Sequence, residues 1–153
     1  MLASSLLTLA AATLATALPA GVEPAAAPGQ FEVTNFVFGC TVGCDWYLDI
    51  AVHPDIAGTH PSVPNGVHCE GNLDDNKSFK ECAHVSNGSK LYAFISKDDN
   101  LLQLRYEVTD VATSTVYNYY GEKAVYAATS DYADLQTPEF NVTEISGTKS
   151  KSA

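Results

Sequence analysis

Residue types able to carry chemistry are present in this chain but scattered. Four histidines, at 53, 60, 68 and 84, show no H-E-x-x-H or H-x-H spacing and have no helix to align them, so surface or turn positions are the favoured reading. No G-x-S-x-G occurs, and an isolated serine with a remote histidine and aspartate makes no triad. Carboxylates are plentiful, and a pair such as Asp49 with Glu107 across a β-cleft would suit a glycan-active hydrolase. That chemistry needs two carboxyl groups roughly 5 or 6.5–9.5 Å apart, one with a raised pKa. The repeated Asp74-Asp75-Asn76 and Asp98-Asp99-Asn100 offer oxygen ligands to calcium. The same residues make good turns, and the Gly and bidentate Glu of an EF-hand loop are missing. No catalytic residue, metal or cofactor is therefore expected.

Two further groups point to recognition. Tyrosines cluster at 117, 119, 120, 126 and 132. Alternation puts Tyr117 and Tyr119 on one strand face and Tyr120 on the other, so one set packs inside and the other offers rings for sugar stacking or protein contact. Asn76-Lys-Ser, Asn87-Gly-Ser and Asn141-Val-Thr are N-glycosylation acceptors. If Asn141 carries a glycan, Phe140 and Val142 must face inward.

The elements that position these residues are short strands. Asp45 to Val52 is the clearest, with Trp46, Leu48, Ile50 and Val52 on one face and Asp45, Tyr47, Asp49 and Ala51 on the other. Phe31, Val33 and Phe36 to Phe38 start an earlier strand, and Val67 to Glu70 forms a short one. Between them, His53 to Gly66 holds prolines at 54, 61 and 64 and reads as an ordered loop or irregular edge. Leu91–Ser96 and Leu101–Asp110 make the best hairpin, across Lys97-Asp98-Asp99-Asn100. In its second arm Leu102, Leu104, Tyr106 and Val108 form a dry face and Gln103, Arg105 and Glu107 a wet one. Thr115–Tyr120 and Lys123–Ala128 read as a second hairpin across Gly121-Glu122, and Phe140–Ile145 as a last strand, with a frayed end from Ser146. No long window shows a 3.6 period. The fold class is all-β, a single antiparallel barrel or sandwich of about eight strands.

Residues 2–17, an apolar and hydroxyl run closed by Ala15-Thr16-Ala17, read as a secretory signal peptide, too short for a membrane span of about 20 residues. Residues 18–30 follow as a Pro/Ala-rich flexible leader, 31–146 as the β domain and 147–153 as a disordered tail. Cleavage after Ala17 leaves 136 of 153 residues (153 minus 17) and the whole charge of -10. That charge argues against nucleic acid and anionic membrane surfaces. Host extracellular proteins, glycans and small apolar ligands stay open, as does the oligomeric state. With 46% hydrophobic and 17% charged residues, the composition suits a compact core.

In an exported chain the four cysteines should be oxidised, and four allow three pairings. Cys40 with Cys44 brackets Thr41-Val42-Gly43 between two strands, where opposed Cα atoms come within disulfide range. Cys69 with Cys82 closes a thirteen-residue separation worth about 3 kcal/mol. A zinc site would want C-x2-C or paired Cys/His spacing, and Cys40-x3-Cys44 with His68 and His84 near the other two cysteines fits that poorly.

The segment Phe31-Glu32-Val33-Thr34-Asn35-Phe36, with Gly39-Cys40, Cys44, an aromatic-bearing strand and Val52-His53-Pro54, resembles small secreted proteins of filamentous fungi. More loosely, the signal, leader, four cysteines and β-rich body look like the Alternaria major allergen family, whose relatives include elicitors of plant defence. The resemblance implies a compact β-barrel with two intrachain disulfides and no known catalysis. It also implies association with allergenicity, plant defence proteins and small phenolic ligands. The chain lacks the further cysteine of the allergen's inter-subunit bridge. Together these readings imply a secreted, non-catalytic binding protein acting as a host-directed effector, elicitor or allergen. The rivals are the two-carboxylate hydrolase and a structural cell-wall component.

Overall fold

The computed structural model describes residues 28–74 and 78–151. The signal and most of the leader, together with Asp75, Asn76 and Lys77, lie outside the described residues. Eight strands run in chain order: β1 (Gln30–Cys40), β2 (Cys44–His53), β3 (Val63–Asn72), β4 (Lys80–Glu81), β5 (Lys90–Ile95), β6 (Leu101–Asp110), β7 (Thr115–Ala124) and β8 (Phe140–Lys151). All pairings are antiparallel, in the order β3-β2-β1-β8-β7-β6-β5-β4. The one helical piece among the described residues is a 3-10 turn at Ala133–Leu135.

The result is a nearly closed barrel. Its seam lies between β3 and β4, where Cys69 is bonded to Cys82 with Cα atoms 4.4 Å apart. Beside that bridge the Ala83 amide donates to His68 O at 2.8 Å while the Cys82 amide donates to Leu91 O at 2.8 Å. The segment after β4 thus hydrogen-bonds to both flanks and narrows the opening between the two sheet edges. The second bridge, Cys40–Cys44, ties the β1–β2 turn with Cα atoms 4.0 Å apart. Both pairings are those expected from spacing.

Alternation fills the interior. Trp46, Leu48, Ile50 and Val52 are buried, as the period of β2 requires, and meet Phe31, Val33 and Phe38 of β1. From the other side come Leu91, Ala93 and Ile95 of β5 and Leu102, Leu104 and Tyr106 of β6, all with no exposed surface. Each large side chain so buried contributes about 2 kcal/mol of apolar transfer. These side chains occupy the middle of the barrel, and the depressions described below open to the outside.

Four expectations from sequence are corrected. Gly121-Glu122 is no turn: β7 runs unbroken through it, with Gly121 opposite Leu104 and Glu122 opposite Gln103. A Cβ at Gly121 would stand 2.9 Å from Val142 Cγ1 and 3.0 Å from the Phe31 ring. The glycine is there for close packing between strands, and after Ala124 the chain leaves the sheet. The polar end from Ser146 does not fray, because Gly147 to Lys151 pair with Tyr119 to Thr115 of β7. Tertiary pairing replaces the local hydrophobic signal the segment lacks. At the other end, Gln30 is already paired with both His53 and Thr143, so the leader stops short of it. β3 likewise starts earlier than expected, and Pro64, Asn65 and Gly66 sit in a register irregularity between Val63 and Val67.

Because β8 is antiparallel to β1 and continues past Gln30, the chain enters and leaves the barrel at the same pole.

Candidate functional site

Strand periodicity divides the outer surface into two chemically different faces. On β5, β6 and β7 the outward residues Tyr92, Arg105 and Tyr120 form one cross-strand row, since Tyr92 is opposite Arg105 and Arg105 is opposite Tyr120. The next row holds Phe94, Gln103 and Glu122. Phe79, from the segment leading into β4, lies over the meeting point of the two. Its ring centre is 6.3 Å from Phe94, 6.5 Å from Tyr120 and 5.0 Å from the Arg105 guanidinium carbon. Tyr92 holds the same guanidinium at 3.9 Å, so the cation is stacked between two rings. Such stacking contributes about 0.5–2 kcal/mol depending on desolvation. Arg105 Nε is buried without a hydrogen-bond partner, which leaves the rings as the described surroundings of the group. Beside the stack a depression of about 290 Å³ is walled by Phe79, Tyr120 and Ile145 and rimmed by Gln103 and Glu122. Ile145 is 57% exposed, so the apolar surface continues to the edge of the face. Rigid rings with an amide and a carboxylate alongside can stack on a ligand and hydrogen-bond its edge.

The opposite face, on β1 to β3, is polar apart from the exposed Val37 and Tyr47. The β1 bulge between Thr34 and Val37 puts Asn35 at φ 53°, from where its amide donates to Asp49 Oδ2 at 2.7 Å. His68 Nδ1 is 2.9 Å from the other Asp49 oxygen and its Nε2 is 3.7 Å from Glu70. The Asn35 hydrogen bond, with burial opposing it and His68 adding to it, holds the Asp49 carboxyl below its ordinary range. Gly66 makes the room, since a Cβ there would stand 3.0 Å from Asp49 Cβ. Nearby, His53 Nε2 meets Glu32 at 2.7 Å.

The sequence candidates are distributed as follows. Tyr120 belongs to the aromatic face, while Tyr119 packs inward and Tyr117 lies under the Lys149 ammonium at 5.6 Å. Asp49 and Glu107 do not form a cleft pair: they point outward from β2 and β6, four strands apart by either route round the barrel. Of the first Asp-Asp-Asn segment only Asp74 is among the described residues, and its Oδ1 is taken by Lys97 Nζ at 2.7 Å, so an ammonium stands beside it. No cluster of three metal-ligating side chains occurs among the described residues. Asn76 lies outside the described residues. Asn87 closes a turn, accepting from the Ser89 amide at 3.0 Å and from its hydroxyl, with its own amide 3.4 Å from the Tyr106 hydroxyl. Asn141 is exposed on β8, with Val142 buried and Phe140 packed on the core.

Phe79 and Arg105 were missed by sequence reasoning. Phe79 sits in a polar stretch with no alternation, and Arg105 reads as part of a wet face; only the strand register brings them together. Compared with known proteins, the chain matches no family model, no curated protein and no solved structure.

Proposed function

We propose that this chain is an exported, non-catalytic recognition protein that binds an extracellular partner through the outside of its barrel, in the manner of a fungal effector, elicitor or allergen. The observation that carries the reading is the exterior aromatic face around Arg105. Aromatic rings and arginine dominate the energetics of recognition surfaces, and here they are held in place by stacking and strand register before any partner arrives. The buried side chains that occupy the middle of the barrel support the same reading, since they leave the outer surface as the place to meet a partner. The two disulfides suit an oxidising compartment, and the loose resemblance to the Alternaria allergen family points the same way.

The test is capture of plant apoplastic proteins and an array of extracellular glycans with the mature protein, alongside the Phe79→Ala, Tyr120→Ala double variant. Binding by the parent and its loss in the variant is the expected result. No partner in either assay, or binding indifferent to both rings, refutes the reading.

A further inference from the structure

A feature independent of the aromatic face lies at the pole where the chain enters and leaves the barrel. The β2–β3 connection crosses this pole and inserts His60, whose side chain has no exposed surface. The ring rests on Tyr119 and Tyr106, at centroid distances of 4.4 and 5.4 Å. Three contacts hold the connection down. Tyr106 donates its hydroxyl to Pro61 O at 3.1 Å, Tyr119 donates to Thr59 O at 3.2 Å, and His60 Nε2 meets Glu144 Oε2 at 2.9 Å.

The decisive detail is what the two ring nitrogens face. Nδ1 is 3.1 Å from Pro61 O, and Nε2 faces the Glu144 carboxylate. A peptide carbonyl accepts only, and so does an ionised carboxylate. A neutral imidazole has one N–H, so it satisfies one of these partners and sets a lone pair against the other. The doubly protonated ring satisfies both. A lone pair set against an acceptor in a buried site is costly, and the doubly protonated ring replaces that mismatch with charge-assisted hydrogen bonds at both nitrogens.

We propose that His60 is a pH-dependent latch: with both ring nitrogens protonated it pins the β2–β3 connection over the barrel pole, and loss of one proton releases the connection and uncovers Tyr106 and Tyr119. The titratable groups around the ring are Glu144 on β8, Tyr119 on β7 and Tyr106 on β6. Asp55, on the connection itself, adds its charge near Tyr119. Glu144 is the carboxylate within ion-pair distance of the ring among the described residues. Burial, and then the Glu144 charge, push the Tyr119 hydroxyl above its usual range, so it remains a donor to Thr59 O.

The test is nitrogen NMR of the His60 ring in the mature protein, with amide exchange over residues 54–62, from mildly acidic to mildly alkaline solution. Both ring nitrogens should carry protons on the acid side. Exchange, corrected for its intrinsic pH dependence, should rise about tenfold where one proton leaves, the factor for losing one such hydrogen bond. Glu144→Gln should flatten this response, because its amide can donate to or accept from Nε2. A ring singly protonated throughout, or an unchanged response in Glu144→Gln, overturns the latch. Should that variant fail to fold, the parent alone decides: ring titration and loop exchange must move over the same pH interval, and separate transitions refute the proposal.

Discussion

The two outer faces of this barrel follow the same strand alternation and yet behave as different materials. On β5 to β7 the outward positions carry rings packed around one guanidinium, held by dispersion and cation–π attraction that salt and pH barely disturb. On β1 to β3 they carry a chain of hydrogen bonds, Asn35 to Asp49 to His68, whose strength depends on which groups are charged. The difference teaches that position in a strand decides only whether a side chain faces out. What the exterior can do depends on which residues the register makes neighbours.

The largest test of this comparison is to part the two faces where they meet. Replacing Cys69 and Cys82 by serine removes the bridge across the seam, whose ends are thirteen residues apart, and should cost about 3 kcal/mol in chemical denaturation. An unchanged denaturation midpoint would mean that the strands close the barrel without it. The next test addresses the aromatic face alone. Phe79→Ala with Tyr120→Ala should weaken partner binding at least roughly tenfold, measured by calorimetry, with only a modest change in stability because both rings are half-buried. Arg105→Met should keep the packed volume while losing the cation, costing about 1 kcal/mol in thermal denaturation.

The smallest effect belongs to the polar face and concerns acid. Asp49 has its folded-state pKa lowered, first by the Asn35 amide, so its ionised form is favoured on folding. Its contribution is present above the ordinary carboxylate range and is lost as pH falls through the lowered folded value. Asp49→Asn should therefore remove a small acid-side slope from the stability profile, a few tenths of a kcal/mol for so accessible a group. The same substitution should leave partner binding at the aromatic face unaltered. A variant that lost binding there would dissolve the distinction between the two faces.

Much of the architecture is legible where a strand buries one side. Trp46, Leu48, Ile50 and Val52 announce β2, the Leu91–Asp110 hairpin is marked by its polar turn, and both disulfides follow from spacing. The failures occur where neighbours distant in sequence overrule local signals. Gly121 looks like a turn residue because its packing against Phe31 and Val142 is invisible in the linear chain. Ser146 to Lys151 look frayed because nothing in a Ser/Lys stretch reveals that β7 is waiting for it. The aromatic face is half legible: alternation separates Tyr120 from Tyr119, but Phe79 and Arg105 join it only through register. His60 gives no sequence signal beyond being one of four histidines, since its burial depends on three strands meeting at the pole.

Gln30 and Lys151 both leave the sheet toward the pole carrying His60, although Gln30 pairs with Thr143, eight residues before Lys151 on β8. An attachment made directly at the start of β1 or the end of β8 would lie on the side of the barrel carrying His60, away from the Cys40–Cys44 bridge. A fusion joined directly to either of these strand ends would consequently leave the Cys40–Cys44 tip facing away from the point of attachment.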